Sequence, residues 1–157
     1  MSIDVYLLAA AASVVDVLDD PPEADFERLS KLVLALNSVM LAVGSPEKGP
    51  YGVGPTDEVP DDGVLRERFG AAFPEFGMYP VAPGTLEDWE RTPDCTMGDA
   101  IDDLVDIYRD ISECLALARA KGEAAGAELL RQSFAYHWGE HARLLQLHVH
   151  RLLYALG

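Results

Sequence analysis

The sequence predicts an all-α protein: a four-helix bundle-like single domain over residues 1–157, interrupted at about residues 44–96 by a long ordered wrap that holds one short helix. Three observations predict it. Four stretches repeat apolar residues every three or four positions, the period of a helix that buries one face. No run shows the strict alternation of a half-buried strand. Residues 44–96 collect eight of the ten prolines and eight of the thirteen glycines, which divides the helical pattern into two halves.

The first stretch, "IDVYLLAAAASVVDVLDD", is rich in alanine and leucine and must stop before Pro21 and Pro22, because the residue preceding a proline avoids the helical region. The second, "DFERLSKLVLALNSVMLAV", places Phe26, Leu29, Leu32, Val33, Leu36, Met40 and Val43 on one face, and Gly44 closes it. The short link between the two predicts an antiparallel pair. The wrap carries Phe69, Phe73, Phe76, Tyr79 and Trp89, too much apolar surface to leave in water. It is therefore expected to be ordered, with its short helix near "DDGVLRERFGAAF" and its aromatics pinned to the bundle. The glycines of "YGVGPT" make no phosphate loop, since the strand, helix and lysine of that motif are missing. In "TMGD", Thr96 is expected as an N-cap with Asp99 three residues on. Ile101, Leu104, Val105, Tyr108, Ile111 and Leu115 then form a stripe down to Gly122. A final helix is expected from about residue 123 to residue 154, its stripe on Leu130, Phe134, Trp138, Leu145, Val149 and Leu152.

Charge narrows the function classes. Twenty-seven acidic residues against twelve basic ones give a net charge of −15. Such a surface repels phosphate backbones, which argues against nucleic acids and anionic membranes as partners. Another protein with a basic surface, or a metal cation, fits better. Two cysteines, Cys95 and Cys114, make no disulfide framework. The apolar run over residues 5–15 lacks the basic residues that precede a signal peptide core, and no stretch approaches the roughly 18 apolar residues of a membrane span, so a cytoplasmic location is expected.

Two faces could carry chemistry. Asp99, Asp102, Asp103, Asp106, Asp110 and Glu113 fall within an arc of about 100° on their helix, opposite its apolar stripe, with Arg109 the only base in the span. The simplest reading is a solvated face. Like charges one turn apart nevertheless oppose the helix by a few tenths of a kcal/mol per pair. Asp103, Asp106 and Asp110 have no capping role, and paired carboxylates can share a cation such as Mg²⁺ or Mn²⁺. On the last helix, taken as continuous, His137, His141 and His148 fall in the apolar stripe while His150 points away. Core imidazoles must hydrogen-bond or ligate something. "HWGEH" also matches H-x-x-E-H, the signature of the inverted zinc peptidases. That mechanism needs a third ligand and a water held by Glu140. With sixteen residues after His141, a downstream third ligand is not expected, and an aspartate of the other helix would have to serve. Gly139 projects opposite the histidines, where another segment is expected to press.

"DAIDDLVDIYRDI" followed by "SFAYHWGEH" resembles the bacterial domain-of-unknown-function family 5063. Its members carry a D-D-L-x-D-I-Y-x-D-L type stretch and then S-F-x-x-H-W-G-x-H. The matching positions are Asp102, Asp103, Asp106, Ile107, Tyr108 and Asp110, then Ser133, Phe134, His137, Trp138, Gly139 and His141. The resemblance covers residues 99 to 145, is faint before residue 96, and departs from the family's tryptophan-containing middle stretch at "GMYPVAPG". It implies a small cytoplasmic helical protein and supplies no activity.

Two functions compete on these residues. The favoured one is a non-catalytic protein-binding or regulatory module that offers its acidic helix or aromatic wrap to a partner. The alternative is a metal-binding (Zn, Mn or Mg) bundle, hydrolytic or not, with a site between the last two helices. The ligand-binding candidates are Asp103, Asp106, Asp110, Tyr108, His137, Trp138 and His141. Of these, His137, His141, Asp103 and Asp106 are the metal-ligand candidates. No catalytic residue is assigned and no cofactor is expected on the favoured reading; a divalent metal belongs to the alternative.

Overall fold

In a computed structural model, which describes residues 2–44, 46, 59–82 and 96–155, the chain is an all-α bundle with one small sheet. Helix α1 (Ile3–Asp19) starts where the Ser2 side chain accepts from the Val5 N–H and ends ahead of the two prolines. Helix α2 (Asp25–Val43) returns beside it and closes at Gly44. Helix α3 (Asp62–Ala72) is capped by Asp61, whose carboxylate accepts from the Gly63 N–H at 2.9 Å. Two strands follow, β1 (Met78–Val81) and β2 (Thr96–Asp99). The chain ends in α4 (Ala100–Lys121), α5 (Glu123–Tyr136) and α6 (Trp138–Ala155).

Helix α4 is the hub. It packs against α1 and α3 on one side and α5 and α6 on the other, while α2 reaches α6 to close the bundle. Leu104, Ile107 and Ile111 of α4 are fully buried, as are Leu7, Leu18, Leu29, Leu36, Leu130 and Leu145 from the helices around it. The expected stripes of α4 and of the last helical segment are thus core. On α2 the stripe holds from Leu29 to Val43, but Phe26 is 72% exposed, because the chain enters the bundle only one turn later.

The wrap behaves as expected where it is described. Its short helix is α3, and Phe69, Phe73 and Tyr79 are buried. Arg28 secures this segment. Its buried guanidinium bonds both Glu75 oxygens, Asp25 and the carbonyls of Pro22 and Glu23. One side chain therefore ties the α1–α2 turn to the end of α3. The rest of the wrap, Trp89 included, and Cys95 lie outside the described residues.

Three points add to or correct the sequence reading. First, one small sheet accompanies the helices: β1 and β2 pair antiparallel, with Tyr79 opposite Gly98 and Pro80 opposite Met97. Four residues are too few for an alternation signal, and Pro80 is tolerated because each strand of a two-stranded sheet is an edge. Second, Thr96 belongs to β2, and the N-cap of α4 is Asp99, whose carboxylate accepts from Ile101 N–H at 3.0 Å and Asp102 N–H at 3.4 Å. The capping-box spacing pointed three residues too early. Third, the last helix is broken. Tyr136 ends α5, His137 leaves the helical region at φ −142° and ψ −87°, and α6 starts at Trp138.

The break explains Gly139. A Cβ there would overlap the Phe134 carbonyl oxygen and lie 2.9 Å from its ring. The pressing segment is thus the end of α5 itself, folded back against the first turn of α6. Trp138 is fully buried at the corner, its indole N–H donating to Ser133 Oγ at 3.0 Å and its ring edge-on to Phe134 at 4.7 Å. Trp138→Ala is expected to cost roughly 3–5 kcal/mol of stability in urea denaturation, since it empties a packed site and strips Ser133 of its donor. A loss under about 1 kcal/mol would mean that the corner is not the anchor its burial indicates.

Candidate metal centre

The site lies where α4 meets the α5–α6 corner. On α4, Asp103, Asp106 and Asp110 occupy one face at three- and four-residue steps, and the break turns His137 and His141 toward that face. His137 Nδ1 lies 3.0 Å from Asp110 Oδ2, and His141 Nδ1 lies 2.7 Å from Asp103 Oδ1. His141 Nε2 is 3.4 Å from Asp106 Oδ2. The expectation that these histidines face the apolar core is therefore corrected. They face the acids of α4, because the helix phase does not run through His137. The solvated-face reading of α4 fails at the same place: the side chains of Asp103 and Asp110 are 7% and 13% exposed.

Two other candidates lie elsewhere. Tyr108 points into the core, edge-on to Phe69 at 5.4 Å and under the Arg68 guanidinium. Trp138 is the corner anchor described above, its side chain turned to Ser133 and Phe134. The outer acids are paired instead: Arg66 from α3 bonds Asp99 and Asp102, and Arg109 bonds Asp62.

Sequence reading missed Tyr79. Its hydroxyl donates to Asp103 Oδ2, so both Asp103 oxygens are engaged, one by Tyr79 and one by His141. Tyr79 can approach because it faces Gly98 across the β ladder. A Cβ on Gly98 would lie 2.6 Å from Tyr79 Cζ. The one available signal was that glycine, between Met97 and the helix cap.

The hydrogen-bond chemistry fixes the ring tautomers. An ionised carboxylate can only accept, so Nδ1 of each histidine carries the proton. In the neutral rings Nε2 is then a bare lone pair. One Asp106 oxygen and one ring nitrogen from each of His137 and His141 lie within 4.8 Å of one another. The bare Nε2 of a neutral His141 and the Asp106 carboxylate, 3.4 Å apart, repel unless a proton or a metal sits between them. The protein favours the proton: the Asp103 hydrogen bond, opposed by burial and helped by the Asp106 charge, holds His141 above its ordinary value of 6.5. Burial pushes the Asp106 carboxyl up, against the charges of His141 and His137. It also pushes Asp110 up, against the His137 hydrogen bond.

His141 lines a cavity of about 460 Å³ together with Asp102, Asp103, Glu140 and Leu144. Tyr79 and the β2 backbone at Gly98 complete its wall. The sheet thus forms one side of an open space next to the cluster.

A raised histidine pKa means that the folded state holds the proton more tightly than the unfolded chain. Its stabilisation is full below about pH 6.5 and is lost as pH rises through the folded value. Metal-free protein is accordingly expected to melt higher at pH 6 than at pH 8, and NMR titration of His141 should give a midpoint above 6.5. Asp103→Asn should return that midpoint toward 6.5; an unchanged midpoint would show that Asp103 is not the cause. Gly98→Ala is expected to cost about 1–3 kcal/mol and to move the same midpoint, by displacing Tyr79 from Asp103. Destabilisation with the His141 midpoint untouched would uncouple the sheet from the site.

Among solved structures, the chain is similar to the crystal structure of protein BF1032 from Bacteroides fragilis, with a TM-score of 0.68 over 94% of this chain and 90% of that one. The identity is 16%, so the likeness shows the fold alone. No family model and no curated protein matches the chain.

Proposed function

We propose that this protein binds a divalent transition metal between α4 and the α5–α6 corner, with Asp106, His137 and His141 as ligands. One observation carries the reading. Each histidine has its Nδ1 held by a separate carboxylate, the largely covered Asp110 for His137 and the buried Asp103 for His141, and a ring nitrogen of each lies within 4.8 Å of the other and of an Asp106 oxygen. Carboxylate–histidine pairs of this kind orient metal ligands and raise their basicity. Two imidazoles and one carboxylate suit Zn²⁺, Fe²⁺ or Mn²⁺. Mg²⁺, which demands oxygen ligands, suits them less.

Ligand bonds near 2.1 Å in a tetrahedral site put ligand atoms about 3.4 Å apart. The three ligand atoms lie within 4.8 Å of one another, so they would have to draw together around an ion. Three protein ligands leave a position for water, and the metal would lower the pKa of that water toward neutrality. Glu140, which lines the adjoining cavity, is the carboxylate available to take its proton. Hydrolysis is therefore the reaction class this chemistry supports. Within the same reading, the resemblance to the domain-of-unknown-function family 5063 extends the metal ligands to that family's D-x-x-D-I-Y and H-W-G-x-H positions.

A melting series tests it. At about pH 7.5, Zn²⁺ or Mn²⁺ at about 100 times its Kd should add about 2.7 kcal/mol to EDTA-treated protein, a shift of roughly 5–10 °C. Acid should weaken the effect, because protons compete for the imidazoles. His137→Ala should abolish it, and Asp106→Asn should weaken it. A wild-type protein that is purified metal-free and is indifferent to each ion would remove the proposal.

The protein-binding module stands as the second reading, and an exposed row on α2 favours it. Phe26, Leu34 and Leu41, spaced by eight and seven residues on one face, are 72%, 64% and 78% exposed. An apolar row on a surface this acidic suits a partner whose contact patch is apolar with a basic rim.

A further inference from the structure

Beside the metal cavity, between β1 and α6, lies a second cleft of about 280 Å³. Pro80, Val81 and Ala82 line one side, and Leu144 and Leu147 the other. The rings of Tyr79 and His148 complete it, stacked at 4.6 Å and 16°. Burial, reinforced by the nearby Arg151 charge, holds His148 below its ordinary pKa, which disfavours a charge on this ring. Arg151 brings the charge. It lies on α6 one turn beyond Leu147 and His148 and lines the same cleft.

Arg151 differs from most of the described arginines. Arg28, Arg66, Arg68, Arg109 and Arg131 each pair with a carboxylate, as a net charge of −15 makes easy. Arg143 caps the Gly139 carbonyl and covers the Phe134 ring. Arg151 has no ion pair among the described residues. An unpaired guanidinium at an apolar cleft is a receptor for an anion that carries an apolar body.

We propose that this cleft binds a short apolar monocarboxylate, its head on Arg151 and its chain along Val81, Leu144 and Leu147. One guanidinium matches one carboxylate, in a bidentate fork. A phosphate dianion carries a second charge for which the residues lining this cleft offer no second guanidinium. The two spaces share Tyr79, Val81 and Leu144 as a common wall. Arg151 and His141 are ten residues apart on one helix, about 15 Å along its axis. A bound acid therefore extends from Arg151 toward the histidine cluster. Service to the metal centre as a substrate pocket rests on the metal reading; binding of the acid does not.

Hexanoate, with hexanol and hexylamine as controls, is the probe, and the readout is a ¹H–¹⁵N titration of metal-free protein. Hexanoate is expected to shift the amides of Val81, Leu144, Leu147 and Arg151 and to bind more tightly than either control. Arg151→Gln should weaken hexanoate about fivefold, the loss of one partly exposed ion pair, and leave hexanol unchanged. Leu147→Asp, at a half-exposed position that should not disturb folding, should weaken all three probes. Hexanoate and hexanol binding alike in both the wild type and Arg151→Gln, or no shift at these four amides, overturns the proposal. A Zn²⁺ melting series on Arg151→Gln separates the two ideas. Hexanoate binding without any metal response removes the metal centre alone, and the reverse removes the cleft alone.

Discussion

The Asp110 carboxylate is the interaction on which the site depends. It accepts from His137 Nδ1 and from the backbone N–H of Trp138, the first residue of α6. A helix that starts inside a protein leaves its first N–H groups without intrahelical partners. Here one of them is satisfied by a side chain from a different helix, 28 residues earlier in the chain. The break after Tyr136 is therefore held from outside. With Trp138 buried at the corner and Gly139 against Phe134, the break has a cap, an anchor and a clearance. Through it, His137 and His141 face α4.

Holding carboxylates in such a place has a cost, which the fold offsets group by group. Asp103 is almost fully buried, and a buried charge is tolerated only when it is paired and hydrogen-bonded. Tyr79 and His141 take one oxygen each. The pair is bought from two directions, one from the sheet and one from the corner, which is why a two-stranded ribbon belongs to the site. Among the described residues Asp106 has only the 3.4 Å approach of His141 Nε2, and burial already pushes its carboxyl toward the neutral form. It is the least satisfied of the three acids, and one of its oxygens lies within 4.8 Å of a ring nitrogen of both His137 and His141. A cation among these atoms would relieve it, which gives the metal reading its physical basis.

The outer acids follow a different logic. Asp99 and Asp102 meet Arg66, and Asp62 meets Arg109, so the polar edge of α4 is tied to α3 by exposed ion pairs. Such pairs contribute little individually and weaken in salt. Their effect is orientation. They keep α3 over α4 while Arg28 and Glu75 hold the far end of the same segment. β1 then starts from a fixed point, and Tyr79 reaches Asp103.

Much of this was legible in the amino-acid order. Helix periodicity located α1, α2, α3 and α4 and the stripe of α5 and α6, because burial of a helix face repeats along the chain itself. The grouping of Asp103, Asp106, His137 and His141 was legible as a pattern of residue types. Their directions were not. A helical wheel carries phase at about 100° per residue, so one break reassigns every side chain beyond it. That break brings His137 to Asp110, which no local window containing His137 includes. Tyr79 was hidden for the same reason: its role comes from a cross-strand neighbour, Gly98, and from an acid on α4. The sequence by itself determined the helices, the acidic surface and the residue types of the site. Which histidine nitrogen meets which carboxylate was decided only by tertiary structure, because those partners are joined through space by groups 27 and 38 residues apart.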